Sequence, residues 1–192
     1  EFDNFASQKN FALAKSIGQW TFSIDADEVV TNDLAKEINQ VIKSDQYDGY
    51  LIPRRNFILG AEIKHSRWSP DKHIWLFRRD KGRWINDVHE EVEVQGSVGE
   101  LKNSKVHYQD QSLREFTEAN IRYARLLARQ KFQQGQRFSL LKCFIDPVLE
   151  FSIRFIYKLG FLDGWRGLVL SILMAYYKFD VWINILKLQL KR

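Results

Sequence analysis

Phe5, Lys9, Leu13 and Ile17 fall four apart, and Ala12 and Ala14 add helix propensity, so the opening stretch predicts a helix that Gly18 is placed to end. The β-prone run Trp20-Thr21-Phe22-Ser23-Ile24 follows and stops abruptly at Asp25, as a buried strand does at the rim of a sheet. Thr31 or Asn32 can cap a second helix whose apolar stripe is Leu34, Ile38, Val41 and Ile42. Helix, strand and helix in this order predict an α/β layer. Residues 49–53, 73–79 and 88–94 read as further strands, separated by the turn-rich Ser69-Pro70-Asp71 and Asp80-Lys81-Gly82. A longer helix starts at the capping box Ser112-Leu113-Arg114-Glu115 and runs through Phe116, Ile121, Tyr123, Leu126 and Leu127. From Phe138 onward the pattern is helical and heavily apolar, with breaks expected near Pro147 and around residues 160–164. The longest uncharged stretch there, residues 167–177, is shorter than the ~20 residues a spanning helix requires.

Composition sharpens this picture. With 192 residues, 45% of them apolar, the chain can bury a sizeable core, which excludes disorder and makes one globular unit the default. The single cysteine, Cys143, cannot form an internal disulfide and reads as a small buried apolar residue; no leader-like segment opens the chain, so a reducing cytoplasmic setting is expected. Charge is uneven. Residues 137–192 hold nine Lys or Arg against four acids, so of the chain's 29 bases and 24 acids the rest carries 20 of each. A neutral catalytic part with a basic, aromatic-rich tail fits this better than a nucleic-acid binder, and no nucleic-acid partner is expected.

The most suggestive chemistry is Asp25-Ala26-Asp27-Glu28. In an extended strand end, residues two apart point the same way about 6.5–7 Å apart, so Asp25 and Asp27 can share one cation or its water shell. Mg²⁺ and Mn²⁺ prefer carboxylate oxygens and often complete their shell with phosphate. An acidic pair in a solvated loop is the plainer alternative. Its place at a strand end, where ligands of open α/β sheets collect, favours a site.

Gln8-Lys9-Asn10-Phe11-Ala12-Leu13-Ala14, then Gly18-Gln19-Trp20, then Ile24-Asp25-Ala26-Asp27-Glu28 resembles the helix, strand and Asp-x-Asp region of family 2 glycosyltransferases. The resemblance implies an α/β fold of the GT-A (Rossmann-like) type and a nucleotide-sugar donor, UDP-hexose first among them. It further implies a diphosphate bound through a divalent cation, Mg²⁺ or Mn²⁺, at Asp25 and Asp27. Gln8, Lys9, Asn10 and Ala26 fall in the same donor-side motif.

An inverting transferase also needs a base for the acceptor hydroxyl, and a carboxylate suits that task. The His-Glu pair in Trp84-Ile85-Asn86-Asp87-Val88-His89-Glu90-Glu91-Val92 resembles the acceptor-side motif of a bacterial subgroup, which points to Glu90, with Asp87 and Glu91 as rivals. Strand alternation would put Asp87, His89 and Glu91 on one side and Glu90 on the other, and an exposed acidic hairpin edge is the bland alternative. His89 and His107 can ligate metal or phosphate, or simply pack. Arg78 and Arg79 can fork a diphosphate or be solvated strand-end charges. Trp68 and Trp84 can stack on a sugar face or fill the core.

Lys158-Leu159-Gly160-Phe161-Leu162-Asp163-Gly164-Trp165 with Ala175-Tyr176-Tyr177 resembles the closing segment of bacterial lipopolysaccharide core β-glucosyltransferases. That implies transfer of a hexose, glucose foremost, to a lipid-linked glycan acceptor at the cytoplasmic face of the inner membrane. An aromatic, basic helical region suits an anionic membrane boundary; a helical cap packed on the sheet or on a partner chain is the alternative. The expected division is a catalytic part over residues 1–111 and a membrane-associating helical tail over 112–192.

Members of the resembled family begin with a strand–helix–strand unit that binds the nucleotide base, and nothing here corresponds to it. An incomplete sheet, lacking part of the donor pocket and weak or inactive alone, is the expectation. Two rival classes use similar residues: a metal-dependent phosphohydrolase, and a non-catalytic membrane-associated assembly module.

Overall fold

The computed structural model describes residues 5–86, 90–109 and 112–191. By contact the chain divides into two compact units, Glu1–Asn56 with Pro70–Tyr108, and Phe57–Ser69 with Gln109–Arg192.

The first unit is built from helix α1 (Phe5–Lys15), strands β1 (Trp20–Phe22) and β2 (Glu28–Val30), helix α2 (Asn32–Val41), and six later strands. These are β3 (Gly49–Ile58), β5 (Lys72–Arg78), β6 (Gly82–Ile85), β7 (Glu91–Val94), β8 (Val98–Glu100) and β9 (Lys105–Gln109). The main sheet has the order β1-β5-β3-β9-β2. It is mixed: β5 is antiparallel to both β1 and β3, β2 is antiparallel to β9, and β8 runs parallel to β3. An α/β architecture with a mixed sheet and a helical carboxyl-terminal part is therefore what the chain adopts. A separate antiparallel pair, β6 and β7, sets Trp84 opposite Val92 and Ile85 opposite Glu91.

Tyr50, Ile52, Leu76, Phe77, Trp84, Val92 and Leu101 form the core of this unit, capped by Leu34 and Ile38 of α2 and by Ala6 and Leu13 of α1. Thr31 caps α2, its hydroxyl accepting from the Leu34 amide at 3.2 Å and donating to the Ser104 carbonyl at 3.2 Å. Gly82 is required where β6 crosses the Phe77 ring, because a Cβ there would collide with the ring carbons.

Two local expectations are corrected. The strand expected over Trp20–Ile24 ends at Phe22, and residues 25–28 form a turn rather than an extended strand end, with the Glu28 amide donating to the Asp25 carbonyl at 3.1 Å. The strand placed over residues 88–94 starts only at Glu91, and Asp87, Val88 and His89 lie outside the described residues.

The second unit holds the short strand β4 (Ala61–Ile63) and helices α3 (Leu113–Gln133), α4 (Leu140–Ser152) and α5 (Gly164–Leu190). A π-helical turn, Ile153–Tyr157, and a 3₁₀ turn, Gly160–Asp163, join α4 to α5. The β4 strand folds back on the end of β3 through Leu59-Gly60, both at positive φ, the pairing of conformations that tight hairpins favour. The capping box at Ser112 and Glu115 is formed in both directions. Pro147, expected to break the helix, lies inside α4. It removes one backbone donor from the ladder, yet the helix continues and the irregularity appears nearly two turns later, in the π-helical turn.

One cluster joins Ala124 and Ala128 of α3, Cys143 of α4 and Tyr177, Val181, Trp182 and Ile185 of α5; another joins Ile58, Ile63, Phe116 and Leu170. Ser66 and Arg67 are successive non-glycine residues at positive φ. The Ser66 amide donates to the Lys158 carbonyl at 3.0 Å, and Arg154 donates to the Ser66 carbonyl at 2.8 Å, which fixes that strained segment. Among the described residues, the stretch Gly160–Leu190 is long and apolar enough to cross a membrane by length and composition, and 33% of its apolar window is buried in the fold.

Candidate active site

The turn after β1 splits its acids by role. Asp25 and Asp27 hold their carboxylates half-exposed, each at 51%. Glu28 turns inward and is fully buried, where it accepts from the Asp25 amide at 3.0 Å, from Lys105 at 2.6 Å and from Arg54 at 3.3 Å. One side chain thus anchors the loop from below while the other two keep their carboxylates at the surface. Lys105 is itself buried, its ammonium 3.5 Å from the Trp75 ring centre. Burial pulls its pKa down to about 8 against the pull of the Glu28 partner, while the neighbouring Arg54 adds to the lowering.

Arg54 continues the network to Asp71 at 2.8 Å, and Asp71 also accepts from Asn56 at 2.7 Å and pairs with His73 at 3.0 Å. Burial alone would raise the Asp71 pKa, but the His73 hydrogen bond, the Arg54 charge and the Asn56 amide together hold it well below the usual carboxylate range. Asn56 reaches further to His107 Nδ1 at 2.9 Å, and His107 Nε2 lies 3.2 Å from Asp27. The Asp27 carbonyl accepts from the Tyr108 amide at 2.9 Å, so strand β9 pins this end of the loop as well.

Beside this network opens a cleft of about 460 Å³. Asp25, Lys9, Glu90 and Glu91 line it together with Arg54, Lys72 and His73, over a floor of Trp75 and Trp84. Lys9 from α1 reaches across: its Nζ is 2.8 Å from Glu90, 3.9 Å from Asp25 and 4.4 Å from the Trp84 ring centre. Asn10 fixes the helix that carries Lys9, donating to the Trp84 carbonyl at 2.8 Å and accepting from the Trp84 amide at 2.9 Å. Helix α1 and strand β6 are thereby locked, and the Asp25 and Glu90 carboxylates face one cation from two sides.

The lipopolysaccharide core biosynthesis glycosyltransferase LpsC of Rhizobium meliloti is 28% identical to this chain over 183 residues, covering 89% of the chain and 67% of LpsC. An uncharacterized glycosyltransferase of Rickettsia typhi is 24% identical over 200 aligned positions (97% of the chain, 68% of that protein). Another, of Rickettsia conorii, is 25% identical over 189 (91% and 67%). The chain is a homologue of bacterial glycosyltransferases. It spans about two-thirds of the length of these relatives, and no model of a known protein family matches it.

For a glycosyltransferase homologue the placement of each expected residue matters. Lys9, Asp25, Trp84, Glu90 and Glu91 converge on the cleft, and Asp27 and His107 meet on the adjoining turn. Glu90 precedes β7 rather than lying within it, so strand alternation does not separate it from Glu91, and both reach the cleft. Trp84 is a core residue, edge-on to Phe77, with one surface in the cleft. Gln8 and Ala26 are exposed.

Arg78 and Arg79 stand at the far end of β5 from Lys72 and His73, roughly 20 Å along the strand. There Arg78 pairs with Asp45 and stacks on Trp20, and Arg79 Nε donates to the Gly18 carbonyl at 3.0 Å. Trp68 packs on Phe116 in the other unit. Asp87 and His89 lie outside the described residues.

Arg54, Lys72, His73, Trp75, Asp71 and Lys105 were not among the residues singled out from the sequence. One signal for them exists: Ile52, Arg54, Asn56 and Ile58 share one phase of strand β3, so two polar residues sit among inward-facing apolar ones. Polar groups in that phase need partners, and the partners form this network.

Asp25 and Asp27 are the residues that could hold a divalent cation. Both offer hard oxygen atoms at the surface, and no set of three or more His, Cys, Asp or Glu side chains forms a closed metal site among the described residues. Mg²⁺ and Mn²⁺ tolerate such a sparse protein shell when phosphate and water complete it.

Proposed function

We propose that this chain carries the acceptor side and part of the donor side of a metal-dependent, inverting glycosyltransferase of family 2, with a GT-A type fold. The reaction is transfer of a hexose, glucose foremost, from a UDP-sugar to a lipopolysaccharide core or other lipid-linked envelope glycan. The observation that carries the reading is the cleft in a glycosyltransferase homologue where Asp25, Lys9 and Glu90 lie within one ion-pair chain. Asp25 and Asp27 would hold a Mg²⁺ or Mn²⁺ ion, which would supply positive charge against the departing diphosphate.

The protein's own groups do the rest. Glu90 accepts the proton of the acceptor hydroxyl as that oxygen bonds to the anomeric carbon and the bond to the diphosphate oxygen breaks. Lys9, 2.8 Å from Glu90, holds that carboxylate in place and adds positive charge on the donor side. Arg54 and Lys72 also line the cleft, held by Glu28 and Asp71 and by Glu100, and the indoles of Trp75 and Trp84 offer apolar edges to a sugar ring. The enzyme works at the cytoplasmic face of the inner membrane, which gives it access to a lipid-linked acceptor.

Transfer from a panel of nucleotide sugars, with and without Mn²⁺, tests this in the 192-residue chain and in the chain extended to its relatives' length. Mn²⁺-dependent transfer lost in both Asp27→Ala and Glu90→Gln is the expected result. Hydrolysis without an acceptor would identify a phosphohydrolase, and lipid binding without turnover in the extended chain would identify an assembly module.

A further inference from the structure

Helix α4 inverts the usual pattern of a surface helix. Cys143 and Glu150 face inward, whereas Leu141 (69% exposed), Phe144 (61%) and Val148 (64%) repeat at helical spacing on the outside, with Leu140, Ile145 and Leu149 beside them. The apolar face continues past the helix through Ile156, Tyr157 (76%), Phe161 and Leu162 to Trp165 (55%). Exposed apolar side chains grouped in this way, rather than scattered singly, mark an interaction surface.

The charges around it are sorted by sign. Glu150 is buried and held by Arg154 at 2.6 Å. Asp163 accepts from the Lys64 and His65 amides and from the His65 ring, all at 3.0 Å. Asp146 accepts from the Trp182 indole at 2.8 Å. Each acid between residues 140 and 166 is therefore turned to an internal donor, while Lys142 and Lys158 stand exposed at the edges of the apolar face. Aromatic residues, aliphatic residues and a basic rim with the acids withdrawn are the complement of an anionic lipid boundary.

Helix α5 is long enough to span a bilayer, but Gly167, Leu170, Ser171, Tyr177, Val181, Trp182 and Ile185 bury one side of it in its own unit. It is a core helix that could cross a membrane only by surrendering those contacts. We propose that the face formed by α4 and the turns up to Trp165 lies in the plane of an anionic leaflet, inserting its apolar side chains while α5 stays packed. The inference rests on the membrane reading above and adds the surface and its orientation.

The test is co-sedimentation of the 192-residue chain with phosphatidylcholine vesicles, with and without phosphatidylglycerol. The comparison is the triple variant Leu141→Gln, Phe144→Gln, Val148→Gln, whose sites are exposed, with circular dichroism confirming its fold. The wild type should bind the anionic vesicles and the triple variant at least about tenfold more weakly. Bromine on the acyl chains should quench wild-type fluorescence more than that of Trp165→Phe. If the folded triple variant binds as the wild type does, or Trp165 escapes quenching, the insertion face is wrong while membrane association stands. If the wild type ignores both vesicle types, both readings fall. A wild-type dimer that the triple variant dissolves, without vesicle binding, assigns the face to a second copy of the chain and overturns the proposal.

Discussion

Glu28 and Lys105 are both fully buried, so each depends on the other for its charge to be tolerable there. Replacing Lys105 by Met leaves a buried carboxylate with only Arg54 as cationic partner, and the expected cost is about 3–5 kcal/mol, read from the urea midpoint. The double variant Glu28→Gln, Lys105→Met should recover a large part of that loss, since no unpaired charge remains. Asp71 gives the matching pH prediction. Its pKa in the fold lies below the unfolded value near 4, so the unfolded chain binds the extra proton first as pH falls. The stability it contributes is present above pH ~4 and lost progressively below it. Urea midpoints between pH 5 and 3 should fall for the wild type and less steeply for Asp71→Asn. At this scale the acids of the Asp-Ala-Asp-Glu loop could be recognised from the sequence, but not their opposite directions. Glu28 turns inward because its partners arrive from residues 54 and 105, which local spacing cannot reveal.

Helices α2 and α3 were legible because each carries its own instructions: an apolar stripe in one and a capping box in the other. Strands β2, β4 and β8, of three residues each, carry no period that could be read, and exist because distant strands offer them a ladder. Pro147 shows the limit from the other side, since a strong local breaker was overruled by the packing of α4 on its unit. The start of α5 depends on a close approach of equal consequence. A Cβ on Gly167 would collide with the Gly160 carbonyl oxygen, which is backbone and cannot swing away. Gly167→Ala should therefore destabilise by a few kcal/mol despite raising helix propensity, with thermal melts showing a lower midpoint. Gly164→Ala is a weaker test, because its positive φ strains the backbone but no atom lies near the added carbon.

Across the molecule, residues 57–69 group with the carboxyl-terminal helices through contacts such as Asp163 with His65 and Arg154 with Ser66, some 90 to 100 residues apart in the chain. No window of sequence shows that grouping, whereas the uneven charge and the aromatic tail were visible in composition. The cleft unit makes the last prediction. On the proposed reading, two half-exposed carboxylates are too few to hold a hard cation tightly in water, so cation and nucleoside diphosphate would each complete the other's site. Linkage then requires each to raise the other's affinity by the same factor. Mn²⁺ alone should leave the melting temperature of the chain unchanged. UDP with Mn²⁺ should raise it, by about 2.7 kcal/mol of stabilisation at a hundredfold excess over the dissociation constant. Hydrogen exchange should slow at residues 25–28 and 90–92 while the amides of α3 and α4 keep their rates. Asp27→Ala should remove the effect of the pair; a full shift retained in that variant would place the cation elsewhere and detach the Asp-Ala-Asp turn from donor binding.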